Sequence, residues 1–240
     1  MHKILFVCLV SCFVISCNAG AVSFIKPCKF DDKACLLSSA QAALPHVAAG
    51  IPELGVPTAD PLVLEEINSK QDGLDIQFKN LKVAGPGKCK FVSISVDGDK
   101  STLTFDVECP ITATGQYKVG GKLLVVPIEG EGDCEIKTDK IKLSVITHMD
   151  QTAGSDGKQH WNIVSYEHSY EPEEQIHFRL DNLFGGNQEK AQPVMEILNH
   201  SWKEVILTIG KPIIAEIIHQ AKEVIQSFLH AVPADELFLA

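Results

Sequence analysis

Alternation of apolar and polar residues dominates the middle of the chain, between about residues 74 and 183. Leu103, Phe105 and Val107, for example, are separated from one another by polar residues. A period of two is typical of antiparallel strands that bury one face and expose the other to solvent. The pattern therefore predicts a β-sheet with one apolar face.

Two of the predicted strands are unusually long. They run from about Thr102 to Val119 and from Lys122 to about His148, with a turn expected at Gly120-Gly121 between them. Strands of about five or six residues are the most common length. Long strands twist and curve, and Gly130 and Gly132 are expected to relieve the bend because they lack side chains. A long curved sheet with one apolar face is expected to wrap around another element.

Helical periodicity is found on both sides of this sheet. Near the N-terminus, apolar residues recur at helical spacing between Asp31 and Gly50. Near the C-terminus, the same spacing runs from Gln188 to about His230 and predicts one long amphipathic helix with a kink at Pro212. At 1.5 Å per residue this helix would be about 60 Å long, which is more than a compact core needs. The expected fold class is therefore α+β, with a long C-terminal α-helix wrapped by a long, curved antiparallel sheet around an apolar cavity.

The composition narrows the range of partners. The chain has 240 residues, with 21 Lys and Arg against 31 Asp and Glu, so that its formal net charge is −10. Arg179 is the only arginine, although arginine is the side chain best suited to pair with phosphate groups. A nucleic acid is therefore not an expected partner, since its binding needs basic patches that neutralise phosphates.

The first nineteen residues have the features of a secretory signal peptide. His2 and Lys3 precede a short apolar run, and small residues up to Ala19 suit cleavage by signal peptidase. The run is shorter than the roughly 20 residues that a membrane span needs, and no stable membrane insertion is expected. We therefore expect a secreted, extracellular protein in which residues 20–240 form one monomeric domain.

Recognised catalytic motifs are missing from the sequence. It contains no nucleophile elbow, phosphate loop, dinucleotide-binding fingerprint or His-Glu-x-x-His zinc motif. His160 and His168 could share one face of a strand, but we interpret them as exposed strand histidines and not as metal ligands. We therefore predict neither an enzyme nor a bound metal or cofactor.

Eight short segments along the chain form a recognisable series. They are Phe24–Cys35, Gly50–Gly55, Asp60–Leu62, Gly115–Tyr117, Gly121–Pro127, Leu183–Asn187, Asn199–Glu204 and Pro233–Phe238. In this order they resemble the insect takeout and juvenile hormone-binding protein family. The fifth and the last of them resemble takeout-like members in particular. Together the eight segments span nearly the whole chain beyond its N-terminal segment.

The resemblance implies a secreted carrier of small hydrophobic ligands without enzymatic activity, built like the wider group of tubular lipid-binding proteins. Members of the family bind or are proposed to bind juvenile hormone, other terpenoids, fatty acyl compounds or pigments. The resemblance also implies a disulfide between Cys28 and Cys35. The alternative is a secreted signalling or interaction protein, of the kind linked to feeding or circadian control, that holds no ligand tightly.

Three further cysteines lie in the predicted sheet, so an odd thiol remains unpaired. A turn at Gly120-Gly121 would bring Cys109 and Cys134 onto the same apolar face, one diagonal step apart. A bond between Cys89 and Cys109 would instead turn Phe91 inward and the apolar residues at alternate positions after it outward, which is a costly one-residue slip. We therefore expect a disulfide between Cys109 and Cys134 and a free Cys89.

The alternation also identifies residues expected to line the ligand cavity. Tyr117 is the lining residue of the sheet that can donate a hydrogen bond to a polar ligand head, such as an ester or an epoxide. The full set is Phe78, Phe105, Val107, Tyr117, Leu124, Val126, Ile136, Trp202, Ile209 and Ile213. Separately, Asn199 begins an Asn-His-Ser sequon, at which a secreted chain could carry a glycan.

Overall fold

Nine strands are present in the computed structural model, which describes residues 22–71 and 73–239. They are β1 (Cys28–Lys29), β2 (Leu62–Gln71), β3 (Leu74–Ala84), β4 (Lys90–Asp97), β5 (Thr102–Leu123), β6 (Val126–Ala153), β7 (Gln159–Pro172), β8 (His177–Leu180) and β9 (Phe238–Leu239). β2 to β8 form one antiparallel sheet, and β1 pairs with β9 in parallel. The N-terminal and C-terminal segments therefore meet, while the predicted signal peptide lies outside the described residues.

Five α-helices accompany the sheet in the described part of the chain. They are α1 (Lys33–Ala49), α2 (Gln188–His200), α3 (Trp202–Thr208), α4 (Lys211–Ala231) and α5 (Ala234–Leu237). α1 confirms the predicted N-terminal helix: the Asp32 side chain caps it by accepting the Cys35 N–H at 3.0 Å, and Pro45 does not end it. Among the described helices, none is both long and apolar enough to cross a bilayer.

The sheet curls around the C-terminal helices. Its strand order is β2-β3-β5-β6-β7, with β4 beside the first half of β5 and β8 beside β6. α4 packs against both β2 and β7, the two ends of that order. Side chains of the outer strands also fasten the helices: Gln71 Nε2 donates to Ile209 O at 2.8 Å, and Tyr170 Oη donates to Ile206 O at 3.1 Å. The predicted α+β fold, with helices wrapped by a long curved antiparallel sheet, is confirmed.

The C-terminal helix differs from the prediction because it is broken in two places. Ser201 leaves the helical conformation between α2 and α3, and a second break falls at Ile209-Gly210 between α3 and α4. Pro212 lies in the first turn of α4. Backbone N–H groups in the first turn have no partner within the helix, so a proline there removes no hydrogen bond. Pro212 therefore starts α4 and does not kink a longer helix. Three consecutive helices, α2, α3 and α4, therefore take the place of the single predicted helix.

The hairpin between β5 and β6 turns later than predicted. Leu123 pairs with Val126, so that Leu124 and Val125 form the turn. Gly120 and Gly121 lie within β5 and pair with residues of β6. Gly121 has a φ of 114°, and a Cβ there would lie 2.0 Å from the carbonyl oxygen of Gly73. Its glycine is thus required by the close approach of the β2–β3 hairpin and not by a turn.

The later turn changes the pairing of the cysteines. Cys109 lies opposite Ile141 and Cys134 opposite Gly115, so the predicted Cys109–Cys134 disulfide is wrong. Cys109 is bonded to Cys89, with a Cα–Cα distance of 4.2 Å, and the free thiol in the described residues is that of Cys134. The Cys28–Cys35 disulfide, with a Cα–Cα distance of 5.7 Å, is confirmed.

A β-bulge at Val92 limits the loss of apolar packing from the Cys89–Cys109 bond to that one residue. Phe91 pairs with Val107, but Ser93 pairs with Asp106, so Val92 has no partner in the ladder. The extra residue restores the alternation, and Phe91 and Ile94 both face inward while Val92 stays 49% exposed. The bulge thus corrects, within one residue, the register slip that was the argument against a disulfide between Cys89 and Cys109.

Candidate functional site

β5 carries one continuous apolar face over its whole length. Residues at alternate positions from Leu103 to Leu123 point to the side of the sheet that α1 to α4 cover, and we call this side the inner face. β5 has 22 residues, which corresponds to about 70 Å at about 3.3 Å per residue. Such a long apolar surface is suited to an extended hydrophobic molecule.

Two groups of apolar side chains cover different parts of the inner face. The main cluster joins residues of β2, β3, β5 and β6 to buried residues of α2 to α5, including Val194 and Phe228. The α1 cluster contains buried Cys89, Val107 and Cys109, with half-buried residues packed around them. Those half-buried residues are Leu44, Phe91, Phe105, Ile111, Ile141 and Leu143.

A band of incompletely covered side chains crosses four strands of the inner face. The strand pairing places Ile94 beside Phe105, Phe105 beside Val145, and Val145 beside His168. Val145 is buried, but Ile94, Phe105 and His168 each keep part of their surface accessible. We call these four residues the central band.

α4 shows the same partial burial along its N-terminal half. Its isoleucines there are half-buried, although fully buried residues follow from Val224 onward. Two of these isoleucines, Ile213 and Ile217, pack against the main cluster. Accessible apolar surface on the covered side of a sheet is the kind of surface that a hydrophobic ligand would bury.

The predicted lining residues divide between these regions. The main cluster includes or contacts Phe78, Tyr117, Leu124, Val126, Ile136, Ile209 and Ile213. Phe105 and Val107 belong to the α1 cluster. Trp202 is half-buried and belongs to neither cluster. The structure therefore places nine of the ten on apolar packing surfaces but does not gather them around one point.

The hydroxyl of Tyr117 already has a protein partner. Tyr117 Oη donates to Asp181 O at 2.8 Å, and burial is the main cause that raises the pKa of this phenol to about 12. Gly132 allows the segment around Asp181 to pass, since a Cβ there would lie 2.5 Å from Asp181 O. The hydroxyl is thus used to fasten the strand to a neighbouring segment, and the predicted hydrogen bond to a ligand head would have to replace that contact.

The titratable groups near the site do not form a metal centre in the described residues. No group of three or more His, Cys, Asp or Glu there is placed to hold an ion. A bulge at Val164 puts His160 and His168 on opposite faces of β7, and His160 Nε2 lies 3.0 Å from Asp156 Oδ1. Burial is the main cause that raises the pKa of the Cys134 thiol to about 11, so this thiol stays protonated at neutral pH.

Several inner-face residues were missed by the sequence reasoning. Tyr166, His168 and Tyr170 follow one another at alternate positions on β7, and the Tyr166 and His168 rings stack with centroids 5.9 Å apart. The signal for them in the sequence is the ring-bearing residue at every second position from Tyr166 to Tyr170 of this strand. Outside the inner face, Asn199 is exposed near the end of α2, so its sequon is accessible and its glycosylation stays a prediction.

Comparisons with known proteins agree with this fold. Residues 5–239 match the family model described as haemolymph juvenile hormone binding protein. The circadian clock-controlled protein daywake of Drosophila melanogaster is 30% identical over 242 residues, which cover 95% of this chain and 92% of that protein. The crystal structure of Epiphyas postvittana Takeout 1 is similar with a TM-score of 0.86 and 29% identity, covering 90% of this chain and 100% of that one.

Proposed function

The chain belongs to the haemolymph juvenile hormone binding protein family, and we propose on this basis that it is a secreted carrier of one small hydrophobic molecule. The observation that carries the proposal is the central band, where Ile94, Phe105 and His168 remain partly accessible on the covered side of the sheet. An apolar molecule lying there would shield surface that the protein itself leaves uncovered. The proposed ligand is juvenile hormone, another terpenoid or a fatty acyl compound.

Burial would supply most of the affinity. A ligand that buries about 400 Å² would gain roughly 10 kcal/mol at about 25 cal/mol per Å². Ordering and immobilisation reduce this gain, so we expect a dissociation constant between micromolar and nanomolar. Since Tyr117 Oη is engaged by Asp181 O, length and shape of the apolar surface are expected to dominate selectivity.

A signalling or interaction protein without a tightly held ligand is the second candidate. The similar protein from Drosophila melanogaster is named for control by the circadian clock, and that name states no ligand. In this case the half-buried residues of the inner face would be ordinary packing, and binding to a partner protein would be the activity.

Organic extraction of the purified protein followed by mass spectrometry separates the two candidates. The carrier proposal predicts one terpenoid or fatty acyl compound per chain, or stoichiometric uptake of such a compound when it is added. A clean extract from several expression hosts, together with no uptake of a juvenoid, fatty acid or terpenoid at tens of micromolar, would favour the interaction protein.

A further inference from the structure

A buried hydrogen-bond donor without an acceptor lies at one end of the inner face. The indole Nε1 of Trp161 is shielded from solvent and has no hydrogen-bond partner among the described residues. An unsatisfied buried N–H is unfavourable by about 1–3 kcal/mol. Such groups are therefore rare in native proteins, and each one calls for an explanation. The other buried ring nitrogen without a partner, His160 Nδ1, belongs to a residue that is already paired with Asp156 on the opposite face.

Aromatic neighbours hold the Trp161 ring in place. The Phe238 ring packs edge-on against it with centroids 5.7 Å apart, and the Phe30 ring does so at 6.3 Å. Phe30 follows β1 and Phe238 begins β9, the pair of strands that joins the two terminal segments. The donor is therefore fixed by packing from both ends of the described chain.

Trp161 lines a small cavity that has a mostly apolar wall. Besides Trp161, that wall is formed by Phe30, Val96, Leu103, Met149 and Phe238. The cavity measures about 20 Å³, and a space of about 10–15 Å³ on this measure holds one water-sized group. None of its nine lining residues carries a charge. It has room for the end of a ligand and not for a whole one.

The cavity adjoins, through Leu103, the face on which a ligand tail would lie. Leu103 lines the cavity and is followed on the same side of β5 by Phe105 of the central band. At the other end of β5, the Tyr117 hydroxyl is occupied by Asp181 O. Of these two donors, the indole of Trp161 is the one that has no protein acceptor.

We infer that Trp161 Nε1–H donates a hydrogen bond to a neutral oxygen at the head of the ligand, while the tail lies along Leu103 and Phe105. This inference rests on the proposed carrier function and deepens it. An ester, ketone or epoxide oxygen satisfies the donor without bringing a charge into an uncharged cavity. A free carboxylate would lose its hydration there with no cationic side chain in the lining to replace it. The site therefore selects neutral oxygen-bearing heads over hydrocarbons and over acids.

Competition for a fluorescent apolar probe tests this selectivity. Methyl laurate, laurate and dodecane are titrated against the wild-type protein, Trp161→Phe and the control Val164→Ala, which changes a 60% exposed residue of the same strand. Trp161→Phe keeps an aromatic ring but removes the N–H. It should therefore raise the dissociation constant of methyl laurate about tenfold and change that of dodecane by less than about twofold. Val164→Ala should change neither, and wild type should bind laurate less tightly than its methyl ester.

A second measurement needs no substitution at Trp161. The chain has two tryptophans, so a ¹⁵N-labelled sample gives two indole N–H resonances, which Trp202→Phe assigns. Methyl laurate should move the Trp161 resonance downfield, whereas dodecane should not.

Three results would overturn the inference while leaving the carrier function intact. They are equal weakening of methyl laurate and dodecane by Trp161→Phe, no weakening of either, and an unmoved Trp161 resonance at saturation. Tighter binding of laurate than of methyl laurate would overturn the preference for a neutral head. Failure of wild type to bind any of the three, and also a juvenoid and another terpenoid, would overturn the carrier function and this inference with it.

Discussion

The main cluster and the α1 cluster cover neighbouring parts of one sheet by different means. In the main cluster, residues such as Leu81 and Val83 are at most 1% exposed and pack among residues from β2 to α5. In the α1 cluster only three residues are buried, and α1 itself buries only Leu36 and Ala48. The difference indicates that the main cluster supplies stability through packing, whereas the α1 cluster leaves part of its apolar surface uncovered.

Polar and covalent contacts replace packing on the α1 side. Gln41 of α1 donates to Cys89 O at 3.1 Å and accepts the Phe91 N–H at 2.9 Å, which joins the helix to β4. The Cys28–Cys35 and Cys89–Cys109 disulfides both lie in or beside this region. A region fastened in this way can leave half-buried side chains beside it without losing its position.

The largest expected effect compares two leucines of the sheet. Leu81→Ala removes a side chain that is 1% exposed in the main cluster, and it should lower the free energy of unfolding by about 2–5 kcal/mol. Leu143→Ala removes a half-buried side chain of the α1 cluster and should cost less than about 2 kcal/mol. Urea unfolding of both variants measures the difference, and equal losses would show that the two regions are packed alike.

The next effect compares the two disulfides. Replacing both Cys89 and Cys109 by serine opens a loop with a sequence separation of 20 and should cost about 3 kcal/mol. The same change at Cys28 and Cys35 opens a separation of 7 and should cost about 2 kcal/mol. Unfolding under non-reducing conditions gives both values. A larger loss for the shorter loop would mean that attachment of the N-terminal segment, and not loop entropy, sets the stability.

The sequence predicts the sheet better than it predicts the site. Alternation along β5 and β6 identifies two long strands and their apolar face because burial on one side imposes a period of two. It does not reveal the unpaired residues Val92 and Val164, since a bulge depends on how neighbouring strands meet. The acceptor of the Tyr117 hydroxyl is 64 residues away, so no local pattern could indicate that this donor is occupied.

The smallest expected effect concerns the outer face of β5. Asp106 accepts hydrogen bonds from Ser144 Oγ at 2.5 Å and Ser93 Oγ at 2.8 Å, and these bonds, that of Ser144 first, lower its pKa. A carboxyl group with a lower pKa in the folded state stabilises the fold above its unfolded pKa of about 4, and this contribution is lost as the pH falls below it. The stability difference between wild type and Asp106→Asn should therefore be larger at pH 6 than at pH 3. A difference that does not change between these pH values would contradict the role of the carboxylate.

Binding of a fluorescent apolar probe to two matched variants tests the central claim most directly. Phe105→Asp puts a charge into the central band, whereas Val92→Asp puts the same charge on the neighbouring strand at a site that is 49% exposed. If a hydrophobic molecule lies on the inner face, Phe105→Asp should abolish binding and Val92→Asp should leave the dissociation constant within about twofold, because only the first charge loses its hydration. Both variants should keep a wild-type circular dichroism spectrum. Unchanged binding by a folded Phe105→Asp would contradict the claim.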